Sequence, residues 1–234
     1  LDLIESLVRG RLVRLRQCAS FAGQLNTVTK DLPSGYEEDL FSDNLSNLID
    51  EYETIEVPGK IHKLLEFLEQ FKNNGQKVIV WSNFLATLDY IGKQLEKSGY
   101  KFRKIIGNTP LEVTNPIDFK NISTRESIRL EFIDPNSGID ILLANPAACA
   151  ESISLHKSCY NAIYYDLSFN CAHYLQSMDR IHRVGGSENQ ESYYYFFQYE
   201  NSIDEDIFEN LEDKKEKMEM LLQGKYAITS LLEE

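Results

Sequence analysis

The sequence predicts an open α/β sheet, mainly parallel, with helices on both faces. Three observations carry this. The chain has 234 residues, 42% of them hydrophobic and 26% charged, which suffices for one large folded domain with a sizeable core. Short apolar runs of strand length alternate with longer segments of helical periodicity. Continuous rather than alternating apolar runs are typical of parallel strands that are covered on both faces.

The leading segment, residues 1–25, is predicted to be an amphipathic helix. Its apolar residues Ile4, Val8, Leu12 and Leu15 follow helical spacing, and its arginines are expected to lie off this buried stripe. Residues 31–56 contain Pro33-Ser34-Gly35 and little periodicity, which predicts a loop with a short helix near residues 45–49.

The regular pattern begins at residue 57. Pro58 suits a first helical turn, Ile61, Leu64, Leu65 and Leu68 form an inward stripe, and Asn73-Asn74-Gly75 ends the helix. The remaining predicted helices are 86–97, 124–132, 172–184 and 203–222, and the predicted strands are 77–81, 101–106, 139–144, 162–166 and 193–199. Ligands of open α/β sheets bind at the carboxyl ends of the strands, so we expect the site there.

The net charge of −13 excludes a basic nucleic-acid footprint over the whole chain. The charge is local, however. Residues 1–30 carry +3, residues 31–56 carry −9, residues 57–199 are neutral and residues 200–234 carry −7. The acidic segments are either solvated faces or binding surfaces. Tight DNA binding by this chain alone is not expected, but Arg180, Arg183, Lys157 and the residues at the strand ends could form a local positive lip.

Cysteine spacing and hydropathy indicate the cellular compartment in which the protein is expected. Cys18, Cys149, Cys159 and Cys171 form no CxxC pair, and a chain of this size needs no disulfide staples, which favours a reducing compartment. No targeting segment and no apolar run of membrane-spanning length occurs, so no membrane partner is expected. We expect a cytoplasmic protein of a prokaryote, or a nuclear one in a eukaryote. The start at Leu1 suggests a fragment of a longer protein.

The most informative stretch runs from Gln176 to Gly186. On the predicted helix, Gln176, Arg180 and Arg183 would share one face, and two guanidiniums held there could bind phosphate in a bidentate manner. The alternative is a pair of surface arginines neutralised by Asp179 and its neighbours.

This run, Gln-x-x-x-Arg-x-x-Arg-x-Gly, resembles motif VI of superfamily 2 helicases, in particular of the Swi/Snf-type ATPases that translocate on duplex DNA. Three further blocks follow the family's order. Residues 77–84 are similar to motif IV, Ile105-Ile106-Gly107 with residues 125–132 resembles the next block, and residues 139–155 occupy the place of motif V. Residues 161–176 are the strand and loop that the family places before motif VI. The resemblance covers about residues 57–199.

The resemblance implies the second of two RecA-like lobes, with flanking helices at both ends. It divides the chain into a leading helix and acidic loop (1–56), the lobe (57–199) and an acidic carboxyl-terminal helix packed on it (200–234). Arg180 and Arg183 would be arginine fingers, and Gln176, Glu151, Ser152 and Asp179 would lie at the nucleotide. ATP with Mg²⁺ would bind mainly on the amino-terminal lobe of the same polypeptide, since this sequence lacks the GxxxxGK[ST] loop and the acidic box. The lobe alone is expected to be monomeric and without ATPase activity.

The resemblance also implies contacts with the backbone of double-stranded DNA. The residues expected to make them follow strand ends: Ser82, Asn83, Phe84, Gly107, Asn108 and Asn145. For Ser82 and Asn83 the alternative is a simple helix cap.

Motif V departs from the family pattern. Cys149, Ala150 and Ser152 stand where glycines are common, so the close approach to phosphate that glycine permits is lost. Gly186 replaces the usual glutamine. These departures favour the main alternative, a non-catalytic α/β interaction module. A sugar-nucleotide transferase is a weaker alternative.

Some residues that suggest chemistry have simpler explanations. His156, His173 and His182 lack metal-ligand spacing, which favours ordinary packing, although His173 could face the site. Ser202 and Glu205 fit a helix capping box better than an acidic magnesium motif. The aromatic run 193–197 fits a strand better than a base-stacking platform.

Overall fold

A computed structural model describes residues 2–25, 43–111, 123–148, 153–182 and 191–222. The helices are α1 (Asp2–Ser20), a 3₁₀ turn (Ala22–Gln24), α2 (Asp43–Asp50), α3 (Tyr52–Ile55), α4 (Gly59–Asn73), α5 (Leu85–Lys97), α6 (Arg125–Ile133), α7 (Cys171–Met178) and α8 (Ile203–Leu222). The strands are β1 (Val78–Trp81), β2 (Phe102–Ile105), β3 (Ile141–Ala144), β4 (Asn161–Tyr164) and β5 (Tyr193–Phe196). The predicted alternation of strands and helices is confirmed.

The five strands form one parallel sheet in the order β2-β3-β1-β4-β5. β1 is central, with Val78 level with Ile141 of β3 on one side and with Asn161 of β4 on the other. All carboxyl ends therefore lie at one edge of the sheet, which we name the carboxyl edge, and the opposite edge is the amino edge. The predicted parallel α/β architecture is confirmed.

Both faces of the sheet are buried. Ile79 and Trp81 face a core completed by α6, α7 and α8, whereas Val78 and Val80 face a second core completed by α4 and α5. This alternation along β1 follows from the two-residue period of a strand. The continuous apolar runs in the sequence are thus explained by the burial of the strands on both faces of the sheet, as predicted.

Helix α1 does not bury the predicted stripe. Val8 and Leu15 are 52% and 46% exposed, and the buried positions near the helix end are the polar Gln17 and Ser20. The prediction was wrong for Val8 and Leu15. At its carboxyl end α1 is held by hydrogen bonds of Ser20 to Thr87 of α5 and to Asp166 after β4, which apolar spacing does not predict.

Helix α7 ends earlier than predicted. The sequence pattern suggested a helix to residue 184, but α7 ends at Met178. Beyond Met178 the hydrogen bonds follow the spacing of a 3₁₀ turn. The backbone amides of Arg180 and Ile181 donate to the carbonyls three residues back, at Ser177 and Met178. Arg180 therefore lies in the turn beyond the helix that carries Gln176, and the predicted position of Arg183 on the same helix face lies outside the described residues.

Helix α8 packs against the lobe through aromatic and ionic contacts. Phe208 lies 4.9 Å from Phe196 of β5, measured between ring centroids. Lys60 of α4 and Asp204 of α8 form a buried ion pair with Nζ and Oδ2 2.8 Å apart. In the ranges given above, none of the helices combines the length and apolar character that crossing a bilayer requires.

Candidate functional site

The end of β1 is held from the β3 side by Asn145. Its amide Nδ2 donates to the carbonyl oxygens of Ser82 (3.1 Å) and Asn83 (3.0 Å), and its Oδ1 accepts from the backbone amide of Ala147 (3.0 Å). Because one side chain bonds both strand ends, the turn after β1 and the turn after β3 have a fixed relative position.

From the β4 side, the same turn is held by Asp166. Oδ1 accepts from the backbone amide (2.8 Å) and the side-chain amide (3.1 Å) of Asn83. Oδ2 accepts from the hydroxyls of Ser82 and Ser20, the latter at 2.7 Å. Asp166 is only 3% exposed, so a carboxylate here requires these donors.

Arg125, the first residue of α6, joins the turns that follow β2 and β3. Its Nε donates to the carbonyl of Thr109 (2.9 Å), and its Nη atoms donate to those of Ala148 (2.6 Å) and Gly107 (3.3 Å). The planar guanidinium can reach three carbonyls at once because its donors form a rigid fork. The result is a carboxyl edge in which neighbouring turns are bridged by side chains.

Arg16 of α1 covers the turn after β1. Its guanidinium lies 5.1 Å from the centre of the Phe84 ring, and its Nε donates to the carbonyl of Leu167 (3.3 Å). Burial lowers the pKa of Arg16, and the charge of Asp166 opposes that effect. The arginine stays charged and adds positive potential beside a ring and an amide that are partly exposed.

The segment of motif V and the turn that carries Arg180 are joined through their backbones. The amide of Leu155 donates to the carbonyl of Arg180 at 2.9 Å. Arg180 is partly buried, whereas Gln176 and Asp179 are exposed. Arg180 is thus placed by the turn beyond α7 and by this bond, not by a helix face shared with Gln176.

The predicted nucleic-acid residues divide into two groups. Ser82 is fully buried and Asn145 is 9% exposed, and their side chains are engaged within the edge. Asn83 and Phe84 are partly exposed, and Gly107 and Asn108 are exposed. DNA contact by any of them stays a prediction. Glu151, Ser152 and Arg183 lie outside the described residues.

Three important residues of this edge were not singled out in the sequence. Asp166 follows a buried strand directly, and a carboxylate in that position is a signal that could have identified it. Ser20 and Thr87, whose Oγ atoms lie 2.8 Å apart, carry no comparable signal, because their pairing joins residues 67 positions apart.

The histidine and the capping residues for which the sequence favoured a structural role have hydrogen-bond partners close by in the sequence. Ser154 Oγ lies 2.6 Å from Nδ1 of His156. The Ser202 hydroxyl accepts from the amide of Asp204, and the Glu205 carboxylate accepts from that of Asn201, so these two residues stabilise the start of α8 as a variant of the predicted capping box. Asp204 pairs with Lys60.

Comparisons with known proteins agree with this geometry. The family model described as "Helicase conserved C-terminal domain" matches residues 59–185. Helicase SWR1 of Saccharomyces cerevisiae is 25% identical over 165 residues, covering 70% of this chain and 10% of that protein. ATP-dependent helicase fft3 of Schizosaccharomyces pombe is 31% identical over 166 residues, covering 70% of this chain and 16% of that protein.

A solved structure, that of the C-terminal part of the Fun30 ATPase domain, has a TM-score of 0.54 and 26% identity. The match covers 72% of this chain and 51% of the solved one. The chain spans only 8% to 16% of the length of the curated relatives it matches. The fold is therefore RecA-like, and with its helicase relatives of the Swi/Snf type this chain belongs to the helicase conserved C-terminal domain family.

Proposed function

We propose that this chain is the carboxyl-terminal lobe of an ATP-dependent DNA translocase. The observation that supports this most is the carboxyl edge of the sheet, where Asn145, Asp166 and Arg125 join the turns of three of the sequence blocks, those after β1, β2 and β3. Rigid turns with exposed tips suit a site that must hold phosphate groups in place.

On the nucleotide side, Arg180 and Arg183 would reach across a cleft to the γ-phosphate of ATP on the amino-terminal lobe. Guanidiniums placed there stabilise charge that develops on the phosphoryl oxygens in the transition state, which is worth on the order of 10³-fold in rate. Gln176, Asp179, Glu151 and Ser152 would line the same cleft. Mg²⁺ would be bound by the other lobe, whose phosphate loop and acidic motif this sequence lacks.

On the DNA side, Asn83, Phe84, Gly107 and Asn108 would contact the backbone of one strand. Gly107 and Asn108 are exposed, and groups at such turns can contact phosphate without reading sequence. Ser82 and Asn145 would act by holding these turns. Arg16 and Arg125 would provide local positive potential at an edge of a chain whose net charge is −13.

Coupling between the two sides would pass through the backbone bond from Leu155 to Arg180. Closure of the two lobes around ATP would press Arg180 and Arg183 onto the phosphate, and hydrolysis would release them and shift the DNA-contacting edge. Translocation needs no strand separation. The lobe alone would be monomeric and inactive.

The relatives bear on location. SWR1 and fft3 come from Saccharomyces cerevisiae and Schizosaccharomyces pombe, so the prediction of a cytoplasmic prokaryotic protein has no support from them. We propose the nuclear location that we predicted for a eukaryotic chain.

The test joins this chain to an amino-terminal lobe of the same family and measures ATP hydrolysis with and without duplex DNA. DNA should stimulate the wild-type protein. Arg183→Ala and Arg180→Ala should each lower the stimulated rate by about 10² or more, with little change in DNA affinity. Arg129→Ala is the matched control, because this arginine pairs with Glu126 on the surface of α6. Wild-type rates in both finger variants would refute the arginine assignment.

The non-catalytic interaction module remains the second candidate, favoured by the missing glycines of motif V. It predicts that the joined wild-type protein does not hydrolyse ATP faster when DNA is added. The same measurement therefore separates the two functions.

A further inference from the structure

The carboxylate of Asp166 joins the leading helix to the end of the central strand. One of its oxygens, Oδ2, accepts from the hydroxyls of Ser20 and Ser82, and the other, Oδ1, accepts from both nitrogens of Asn83. Ser20 is the last residue of α1 and Asn83 is the second residue after β1. The buried carboxylate of Asp166 thus contacts both the end of α1, at Ser20, and the turn after β1, at Asn83.

A row of buried polar groups fixes where α1 lies. The Ser20 hydroxyl is 2.8 Å from Oγ1 of Thr87 on α5. Gln24 Nε2 donates to the same Thr87 oxygen (3.2 Å) and to the carbonyl of Gln17 (3.0 Å). All four residues are buried, so every bond lost on a displacement of α1 would leave an unsatisfied group. A displacement of α1 would break the bonds to Thr87 and Asp166.

We propose that Asp166 is a positioning residue through which α1 and the following 3₁₀ turn set the conformation of Ser82-Asn83-Phe84. The inference rests on the proposed function, in which Asn83 and Phe84 contact the DNA backbone. Helix α1 precedes residues 59–185 that match the family model, so the DNA-contacting edge takes part of its geometry from outside the family domain.

A general contribution to stability would produce different behaviour. If the Ser20 bond only stabilised the fold, its loss would lower the free energy of unfolding. The DNA dependence of ATP hydrolysis by the molecules that stay folded would not change. A positioning role requires that the Ser20 hydroxyl acts on Asn83, since Asp166 is bonded to both. The effects of changing Ser20 and Asn83 should then not add.

The experiment uses Ser20→Ala in the chain joined to an amino-terminal lobe. The DNA concentration for half-maximal stimulation should rise roughly threefold, with an unchanged rate at saturating DNA. Ser20→Ala combined with Asn83→Ala should be no worse than Asn83→Ala alone. Hydrogen exchange of the Asn83 amide, which donates to Asp166, should become at least about tenfold faster in Ser20→Ala, whereas the amides of β1 should not change.

Asn161→Ala is the matched control, because it removes a buried side-chain bond, to the Lys77 carbonyl, at the amino edge. It should leave the DNA dependence unchanged. Thr87→Val, which is nearly isosteric, tests the same row should Ser20→Ala fail to fold, and should change both readouts in the same direction.

Additive effects in the double variant, or an unchanged exchange rate at Asn83, would overturn the inference. An absence of DNA stimulation in the joined wild-type protein would instead refute the proposed function, and exchange at Asn83 would then still decide whether α1 acts on this turn.

Discussion

The carboxyl edge of the sheet is held by polar side chains that join its turns, whereas the amino edge has a hollow lined by polar and apolar side chains and an ion pair whose aspartate is half exposed. At the carboxyl edge, Asn145, Asp166 and Arg125 each bond two or more turns. At the amino edge a cavity of about 250 Å³ lies among the apolar Leu68 and Phe71 and the polar Lys72, Gln76 and Lys101, and Lys77 pairs with an Asp140 that is half exposed.

The difference shows where the molecule is constrained. Each buried polar group at the carboxyl edge needs its partners, so the turns there have one permitted arrangement. At the amino edge the half-exposed Asp140 and the hollow tolerate small displacements, because water can replace the contacts that are lost there. The same strands thus end at an edge whose turns are joined by side chains and begin at an edge whose ion pair is partly open to water.

The largest expected effect compares two aspartates at opposite edges. Asp166→Ala leaves four donor groups of Ser20, Ser82 and Asn83 without their carboxylate acceptor, and should lower the free energy of unfolding by about 4 kcal/mol. Asp140→Ala should cost less than about 1 kcal/mol, since its carboxylate is 52% exposed. Urea unfolding measures both. Equal losses would contradict the contrast between the edges.

The second prediction concerns Lys60, whose Nζ also donates to the carbonyl of Tyr165 at the carboxyl edge (3.1 Å). Lys60→Met leaves the Asp204 carboxylate buried without its countercharge and should cost about 3 kcal/mol. Lys63→Met, on the same helix but in an exposed pair with Glu66, should change stability by less than about 0.5 kcal/mol. Thermal or urea unfolding distinguishes them, and a small loss for Lys60 would show that this pair is dispensable.

A third, smaller effect is expected at Arg125. Arg125→Met removes donors to Thr109, Gly107 and Ala148, which should cost about 2 kcal/mol and accelerate hydrogen exchange in the turns after β2 and β3. Arg129→Met, four residues along α6 in a surface pair, should leave exchange in these turns unchanged. Unchanged exchange in Arg125→Met would mean that the turns are held by other contacts.

The smallest expected effect is the pH dependence of stability that a buried thiol at the amino edge contributes. Burial raises the pKa of the Cys159 thiol, next to β4, to about 12 from an ordinary value near 9. The folded state keeps this proton while the unfolded state loses it, so the contribution of Cys159 to stability is complete below pH 9 and is lost as pH rises towards 12. At pH 10 the loss should be roughly 1 kcal/mol.

The measurement is the urea midpoint at pH 8 and pH 10 for the wild type and Cys159→Ala. The variant should be less sensitive to this change of pH, because it lacks the thiol. Equal sensitivity in the two proteins would assign the pH dependence to other groups.

The sheet could be predicted from the sequence because its signal is local. Val78 to Trp81 and Ile141 to Ala144 are continuous apolar runs, and their burial on both faces follows from that pattern. The place of the site could also be predicted, since parallel strands bring their ends together.

The partners within the site could not be predicted. Ser20 bonds to Asp166 across 146 positions, and no periodicity indicates which of many hydroxyls will do so. The predictions of which face α1 buries and of where α7 ends failed for a related reason. Both depend on hydrogen bonds formed with distant or irregular segments, which residue spacing does not encode.

The ion pair between Lys60 and Asp204 sets a limit on how this molecule can be shortened. Lys60 lies at the start of residues 59–185, which match the family model, whereas Asp204 and strand β5 lie beyond them. A fragment trimmed to the matched residues would expose one side of β4 and remove both the countercharge of Lys60 and the Tyr199 ring beside it. The smallest soluble expression fragment of this lobe should therefore extend through α8.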